Sequence, residues 1–295
     1  MTLGHYQIDT IEAGRLGLDG GAMFGVVPRP LWAGRIAPDD QNRIPLAMRC
    51  LLLRGHGRVI LVDTGLGHKA DAKFERIYAV DHGHSTLAGS LAALGVAPED
   101  VTDVVLTHLH FDHAGGATER GPDGALRPTF PHAAVHVQRR HWEWAHESVR
   151  ERASFLAENL DPLEASGRLV LADGEASPFP GVSYVVVDGH TRAQQLVLVE
   201  GRPQTGGPQT GGAGEGAAPL LFAADLVPTA AHVPLLWVMA YDVEPLQTLR
   251  EKERVLTRAA EGGWTVVFEH DPETAAARVE RTEKGFRAVD ARPAL

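Results

Sequence analysis

The chain has 295 residues, with 28 Lys+Arg against 38 Asp+Glu, and a formal net charge of −10. Hydrophobic residues make up 44% and charged residues 22%, which excludes a fibrous, collagen-like or wholly disordered chain. The acidic balance argues against nucleic acid as a partner, because polyanion binders need dense Lys/Arg patches. The single cysteine, Cys50, excludes a disulfide framework, a thiolate zinc cluster and an iron–sulfur centre.

The opening MTLGHYQIDTIEAG has no basic n-region and no apolar h-region, so no signal peptide is expected. No stretch approaches about 18 uncharged apolar residues, so no membrane span is expected either and the expected compartment is the cytoplasm. Residues 20–44 form an arm rich in Pro, Gly and Trp, suited to cap a pocket or to cover the second copy of a homodimer. Leu46–Leu53 and Arg58–Asp63 flank Arg54-Gly55-His56-Gly57 and read as a β-hairpin. Ser85–Leu94 carries Leu87, Leu91 and Leu94 at helical spacing, with Ser85 as the cap and Gly95 as the stop. Val101–Thr107 is a buried strand, and Arg139–Asn159 a Trp-bearing helical stretch long enough for two helices. Strands follow at Arg168–Ala172, Val182–Asp188, Gln195–Glu200 and Leu220–Ala224. A helix over Glu244–Ala260 then leads to the last clear strand, Trp264–Glu269.

Hairpins mixed with strand–helix alternation predict helices outside two packed mixed sheets rather than one doubly wound sheet. A single domain over 1–295 is expected. One segment breaks the pattern: Pro203-Gln-Thr-Gly-Gly repeats at once as Pro208-Gln-Thr-Gly-Gly and runs on to Gly216. Such composition cannot bury a core, so 201–218 reads as a flexible, dispensable loop between two hairpin strands.

The chemistry concentrates in His108-Leu-His110-Phe-Asp112-His113, directly after the strand Val101–Thr107. His108 and His110 are two apart and project to one side of extended backbone. The small residues Ala114-Gly115-Gly116 let the backbone pass close to an ion. Imidazoles and a carboxylate suit Zn²⁺ and similar borderline metals. Three more candidates each follow an apolar strand: His190, Asp225 and His270. Seven ligands suffice for two metals sharing one carboxylate, and their position at strand ends is where sheet proteins assemble sites. The remaining histidines His5, His56, His68, His132, His136, His141 and His146 read as surface or satisfied side chains, with His82, His84 and above all His232 nearer to a pocket role.

HLHFDHAGG, the upstream VDTG at Val62–Gly65, and His190, Asp225 and His270 in that order resemble the metallo-β-lactamase-fold hydrolases. The resemblance covers about residues 5 to 290 and implies an αββα sandwich with a dinuclear site at one edge. It places His108, His110 and His190 on one metal, and Asp112, His113 and His270 on the other. Asp225 bridges both, and Asp63 orients a ligand histidine from outside. Within the superfamily the chain is most similar to quorum-quenching lactonases and their organophosphate-hydrolysing relatives, through GGAMFGVVPRPLW, DHAGG, GHTRAQQ and DLVPTAAHVPLLWVMAYD. It departs from them at Pro228, where many acyl-homoserine lactonases have tyrosine, and at GHTRAQQ in place of GHTPGHQ.

The expected cofactors are two divalent ions, Zn²⁺ first, with Mn²⁺, Fe²⁺ and Co²⁺ also accepting these ligands. The expected reaction is the opening of a lactone ring by a metal-bridging hydroxide. Asp225 and Asp112 are the catalytic carboxylates, Asp112 serving the leaving oxygen. Met23, Phe24, Trp32, His232, Trp237 and Tyr241 are expected in the substrate pocket, with Met239 beside them. The alternative is an organophosphate triesterase or arylesterase on the same site. A metal-dependent ribonuclease fits less well, for want of a basic stripe.

Overall fold

The run Leu46–Leu53 has almost no polar alternation, and its place in the fold explains why. The computed structural model describes residues 1–201 and 217–295, and in it this run is the middle of a strand, Arg43–Gly55, covered on both faces. Leu51 and Leu53 point into a core shared with the opposite sheet, while Cys50 and Leu52 point into a second core under the helices. A strand buried on both sides must be apolar at every position, and Cys50 belongs to that packing.

The described residues form two mixed sheets of seven and six strands. The first runs edge to edge as Thr2–Leu3, Tyr6–Asp19, Arg43–Gly55, Arg58–Val62, Asp103–Val105, Ala134–Gln138 and Leu169–Ala172. Its first four strands are antiparallel, and every pairing from Arg58–Val62 onward is parallel. The second runs Val182–Val187, Gln194–Val199, Leu220–Phe222, Thr265–Val267, Ala276–Thr282 and Gly285–Arg292. Only its Leu220–Phe222/Thr265–Val267 step is parallel. Parallel steps need crossovers, and helices supply them. Leu87–Ala93, Arg139–Glu147 and Ala157–Ala165 deliver Leu87, Leu91, Trp142, Leu160 and Leu163 to the outer core of the first sheet. Pro245–Gly262 packs against Ala276–Thr282 of the second. The architecture is the helix–sheet–sheet–helix sandwich, as expected.

The hairpin at 54–57 closes through His56 (φ 51°) and Gly57 (φ 71°), the two positive dihedrals that match the twist of paired strands. Other expectations need correction. The helix over 87–93 is capped by Thr86, whose hydroxyl accepts from Gly89 N–H, not by Ser85. The stretch 139–159 holds only part of two helices, Arg139–Glu147 and Ala157–Ala165, with non-helical chain between them. Trp264–Glu269 is not the last strand: Ala276–Thr282 and Gly285–Arg292 follow it. These carry Arg278, Glu280, Arg281 and Arg287 on their open side, so they lack an apolar signature. Tyr6–Asp19 was hidden in the same way, being half-polar along its length. The low-complexity stretch Pro203–Gly216 lies outside the described residues. No helix among the described residues is long and apolar enough to cross a membrane.

Gly115 and Gly116 are small for a reason other than approach to an ion. A Cβ on Gly115 would lie 2.1 Å from the Leu66 carbonyl oxygen, and one on Gly116 2.2 Å from that of Thr64. Gly116 N–H donates to Gly65 O (2.8 Å) and Thr64 N–H to His113 O (2.8 Å). These contacts stitch together the loops that follow two neighbouring strands. Gly115→Ala is therefore expected to cost on the order of 3 kcal/mol, since the obstruction is backbone on both sides. Gly34→Ala, whose nearest neighbour is 3.9 Å away, is the near-neutral control. Urea unfolding midpoints of the two variants measure the difference.

Candidate metal centre

Every candidate ligand sits just beyond a strand. His108 and His110 follow Asp103–Val105, and Asp112 and His113 lie in the single turn Phe111–Ala114. His190 follows Val182–Val187, Asp225 lies in the turn after Leu220–Phe222, and His270 follows Thr265–Val267. All seven are buried. One ligand atom from each of His108, His110, His190 and Asp225 lies within 4.8 Å of the others, and the same holds for Asp112, His113 and His270.

The inner nitrogens face one another at short range. His110 Nδ1 is 3.0 Å from His108 Nε2 and 3.3 Å from His190 Nε2, and His113 Nε2 is 3.2 Å from His270 Nε2. Asp225 joins the two groups: its Oδ2 is 3.1 Å from His190 Nε2 and its Oδ1 3.1 Å from His270 Nε2. The outer nitrogen of each ring faces an oxygen. His110 Nε2 meets Glu151 (2.9 Å), His190 Nδ1 meets Asp242 (3.0 Å), and His270 Nδ1 meets the Ala47 carbonyl (2.8 Å). His113 Nδ1 lies between Asp63 (3.1 Å) and Glu269 (3.0 Å). His108 Nδ1 meets the Thr107 hydroxyl (3.1 Å), which donates onward to Asp63 (2.6 Å). Carboxylates and carbonyls only accept, so the outer nitrogens carry the hydrogens and the inner ones of neutral rings are lone pairs. Lone pairs converging on two carboxylates are a donor set for cations.

The electrostatics agree. Burial opposes charge on His190, but Asp225 and Asp242 outweigh it and raise that ring to about 10. Burial likewise opposes charge on His270, and Asp225 and Glu269 carry it to about 9. Asp225 is held well below the carboxylate range, against burial, by His270, His190 and His113. The carboxylates thus favour positive charge at His113, His190 and His270, whereas burial holds His108 and His110 below the usual imidazole range. Burial pushes Glu269 up, against the opposing pull of His113, while His110 draws Glu151 down to about 2 against burial.

Backbone strain gathers here. Asp63 (φ 56°), Ala193 (φ 54°) and Ala224 (φ 41°) are non-glycine residues in the left-handed region, beside three of the ligand loops. Asp63 is held there by accepting Thr107 N–H at 2.7 Å. Glu251 of the long helix accepts the Asp188 and Gly189 N–H groups, each at 2.9 Å, and so fixes the approach to His190.

The ligands floor a cleft of about 220 Å³. Met23, Met239 and Tyr241 line it, with Leu18, Tyr78, Phe111, Arg150 and Ser154. Phe24, Trp32, His232 and Trp237 do not reach its wall. They form an aromatic stack behind it, Phe24 lying 4.6 Å from His232 and 5.3 Å from Trp32, with Trp237 edge-on at 5.7 Å. Both His232 nitrogens are engaged, with Thr229 and with Met23 O. Of residues 20–44, Met23 lines the cleft.

Sequence reading passed over Glu151, Asp242 and Glu269, which orient ligands, and set His141 among the satisfied side chains. His141 is fully buried: its Nε2 accepts from Leu109 N–H (2.8 Å), between His108 and His110, and its Nδ1 donates to Arg192 O (2.6 Å), beyond His190. It ties two ligand loops together. Such partners have no local signature, because each lies tens of residues from the ligand it serves.

Residues 45–270 match the model of the metallo-beta-lactamase superfamily, and the chain belongs to that superfamily. An N-acyl homoserine lactonase of Bacillus cereus is 29% identical over 168 residues, 54% of this chain and 60% of that protein. A probable metallo-hydrolase of Mycobacterium tuberculosis is 28% identical over 201 residues, 61% of this chain and 63% of that protein. The chain thus spans less than two thirds of the curated relatives it matches. A probable metal-dependent hydrolase from Staphylococcus aureus superposes with a TM-score of 0.85 at 28% identity, over 98% of this chain and 99% of the other. AidC, a dizinc quorum-quenching lactonase solved with a product, shares the fold with a TM-score of 0.77 at 17% identity, over 98% and 95%.

His141 makes a pH-dependent prediction. Burial, the largest effect, holds it at about 3, against about 6.5 in an unfolded chain. Between these values the unfolded chain binds a proton that the folded one does not, so stability falls as pH drops from about 6.5 toward 3. The slope from this one group is at most about 1.4 kcal/mol per pH unit. In His141→Gln the fall in urea midpoint between about pH 6 and 4 should be shallower, from a lower starting stability at neutral pH.

Proposed function

We propose that the chain is a two-metal hydrolase that opens lactone rings. The observation that carries this reading is the set of inward lone pairs: five imidazoles, each held by an oxygen on its outer nitrogen, converge with Asp225 and Asp112 on two adjoining positions. His108, His110 and His190 would hold one ion, and Asp112, His113 and His270 the other, with Asp225 standing between the two groups. Bound there, divalent ions would polarise a carbonyl and make water nucleophilic near neutral pH. Zn²⁺ suits the donor set, as do Mn²⁺, Fe²⁺ and Co²⁺.

The chain's own residues do the rest. Asp112 lines the cleft and is placed to take a proton from water and return it to the departing ring oxygen. Leu18, Met23, Phe111 and Met239 give an acyl chain an apolar wall. Tyr78 and Tyr241 line the same cleft as Asp112. The Bacillus relative's lactonase activity, and the dizinc lactonase among the structures of the same fold, support a lactone as the substrate class.

Two measurements test the reading. Elemental analysis should find about two metal ions per chain, and Asp225→Asn should release metal and lower kcat/KM on the order of a hundredfold or more, because an amide cannot neutralise two cations. Metal content near zero with activity that survives chelation would overturn it. A panel of homoserine lactones, γ- and δ-lactones and a paraoxon-type ester should show higher kcat/KM for a lactone. A phosphotriester turned over faster than every lactone would make phosphotriester hydrolysis the better reading.

A further inference from the structure

The segment between the helices Arg139–Glu147 and Ala157–Ala165 makes one wall of the cleft. Ser154 N–H donates to Glu151 O (2.7 Å), and the turn presents Arg150, Glu151 and Ser154 to the cavity. Glu151 is fully engaged, accepting from His110 Nε2, from Trp144 Nε1 at 2.6 Å and from Ser148 Oγ at 3.0 Å. Its two neighbours are not. Arg150 donates from Nη2 to the carbonyls of Ala240 (2.8 Å) and Asp242 (3.4 Å), which fixes its direction, yet among the described residues it pairs with no carboxylate and its Nε and Nη1 meet no acceptor. The Ser154 hydroxyl also has no partner among the described residues. In a chain of net charge −10, a cation left unpaired at the mouth of the cleft is a local inversion of sign.

We infer that Arg150 and Ser154 form a receptor for a carboxylate carried on the part of the substrate that is not hydrolysed. The inference rests on the hydrolase reading for the word substrate, but the receptor itself is a matter of binding. An exposed guanidinium gains little from a neutral carbonyl, which water replaces at almost no cost. It gains more from a planar anion that its fork meets with two parallel N–H donors. Ser154, which lines the same cleft, offers a further donor. The scissile group belongs at the ligand cluster, so the anion recognised by Arg150 lies beside the reacting bond and selects the substrate without taking part in the chemistry.

Calorimetry on the metal-loaded protein with two probes, butyrate and glutarate, tests this. One carboxylate of either probe can occupy the ligand cluster, and only glutarate has a second for Arg150. Wild type should bind glutarate about fivefold or more tightly than butyrate, beyond the twofold that two equivalent ends give by statistics. Arg150→Gln should abolish the preference. Ser154→Ala, which leaves the contact with Ala240 untouched, should reduce it. Equal affinities in wild type, undetectable binding of both probes, or a preference that survives in Arg150→Gln would each overturn the inference. A kinetic arm separates the receptor from a clasp on Ala240: the KM of Arg150→Gln should rise about fivefold more for a γ-lactone bearing a side-chain carboxylate than for bare γ-butyrolactone. Equal rises would mean that Arg150 only holds the 240–242 segment. If neither lactone is hydrolysed, the lactone reading fails while the calorimetry still decides for or against the receptor.

Discussion

An imidazole offers a metal one lone pair only if its other nitrogen is kept protonated and pointed elsewhere, and the site depends on that constraint being met five times. The acceptors are of three kinds: carboxylates for His110, His113 and His190, a main-chain carbonyl for His270, and a hydroxyl for His108. Each fixes a tautomer and a ring orientation. The acceptors come from unrelated parts of the chain, so the donor set exists only when both sheets are in place. The strand Arg43–Gly55 shows the dependence most directly. Ala47 O receives His270 Nδ1, and the fully buried Arg49 donates to the carbonyls of Phe268 (2.6 Å) and Asp271 (3.0 Å). A strand of the first sheet thereby sets the position of a ligand delivered by the second.

Buried charge serves the same end elsewhere. Lys252, inside the long helix, donates to the carbonyls of His232, Pro234 and Trp237 at 2.6, 3.0 and 2.7 Å. Burial lowers it to about 7. Three main-chain acceptors compensate the lost hydration, and in return the segment after Asp225 is pinned to the helix. Pro228, where a side-chain hydroxyl is impossible, contributes its carbonyl to His270 N–H at 2.9 Å. The aromatic stack of Trp32, Phe24 and His232 backs this segment, which explains why those rings are core rather than pocket wall.

The cleft is mixed in character. It carries Tyr78 and Phe111, whose rings lie 5.0 Å apart, with Tyr241, and also Glu151, Arg150 and Ser154. Arg150 reaches the carbonyls of Ala240 and Asp242 on either side of Tyr241, so aromatic and polar groups adjoin. The candidate ligands His110, Asp112, His190, Asp225 and His270 line the same space, which is the arrangement expected where a fold of fixed chemistry varies its specificity through loops.

The sequence by itself determined the candidate ligands and the layering. H-x-H-x-D-H and the three later residues are legible because each stands at the end of an apolar strand, and a buried strand announces itself by composition. The hairpin at 54–57 was legible for a similar reason, since only a few residues accept two positive φ angles. Tertiary structure alone decided the rest. Tyr6–Asp19 and the last two strands are half-polar, so no local pattern marks them. Glu151, Asp242, Glu269 and His141 act across 41, 52, 156 and 32 residues of chain, and a carboxylate that will orient a ring looks in sequence like any surface acid. Which aromatic rings line the cleft and which stand behind it was likewise decided by packing, because Phe24 and Met23 are neighbours in sequence yet face opposite ways: one into the core, one onto the site.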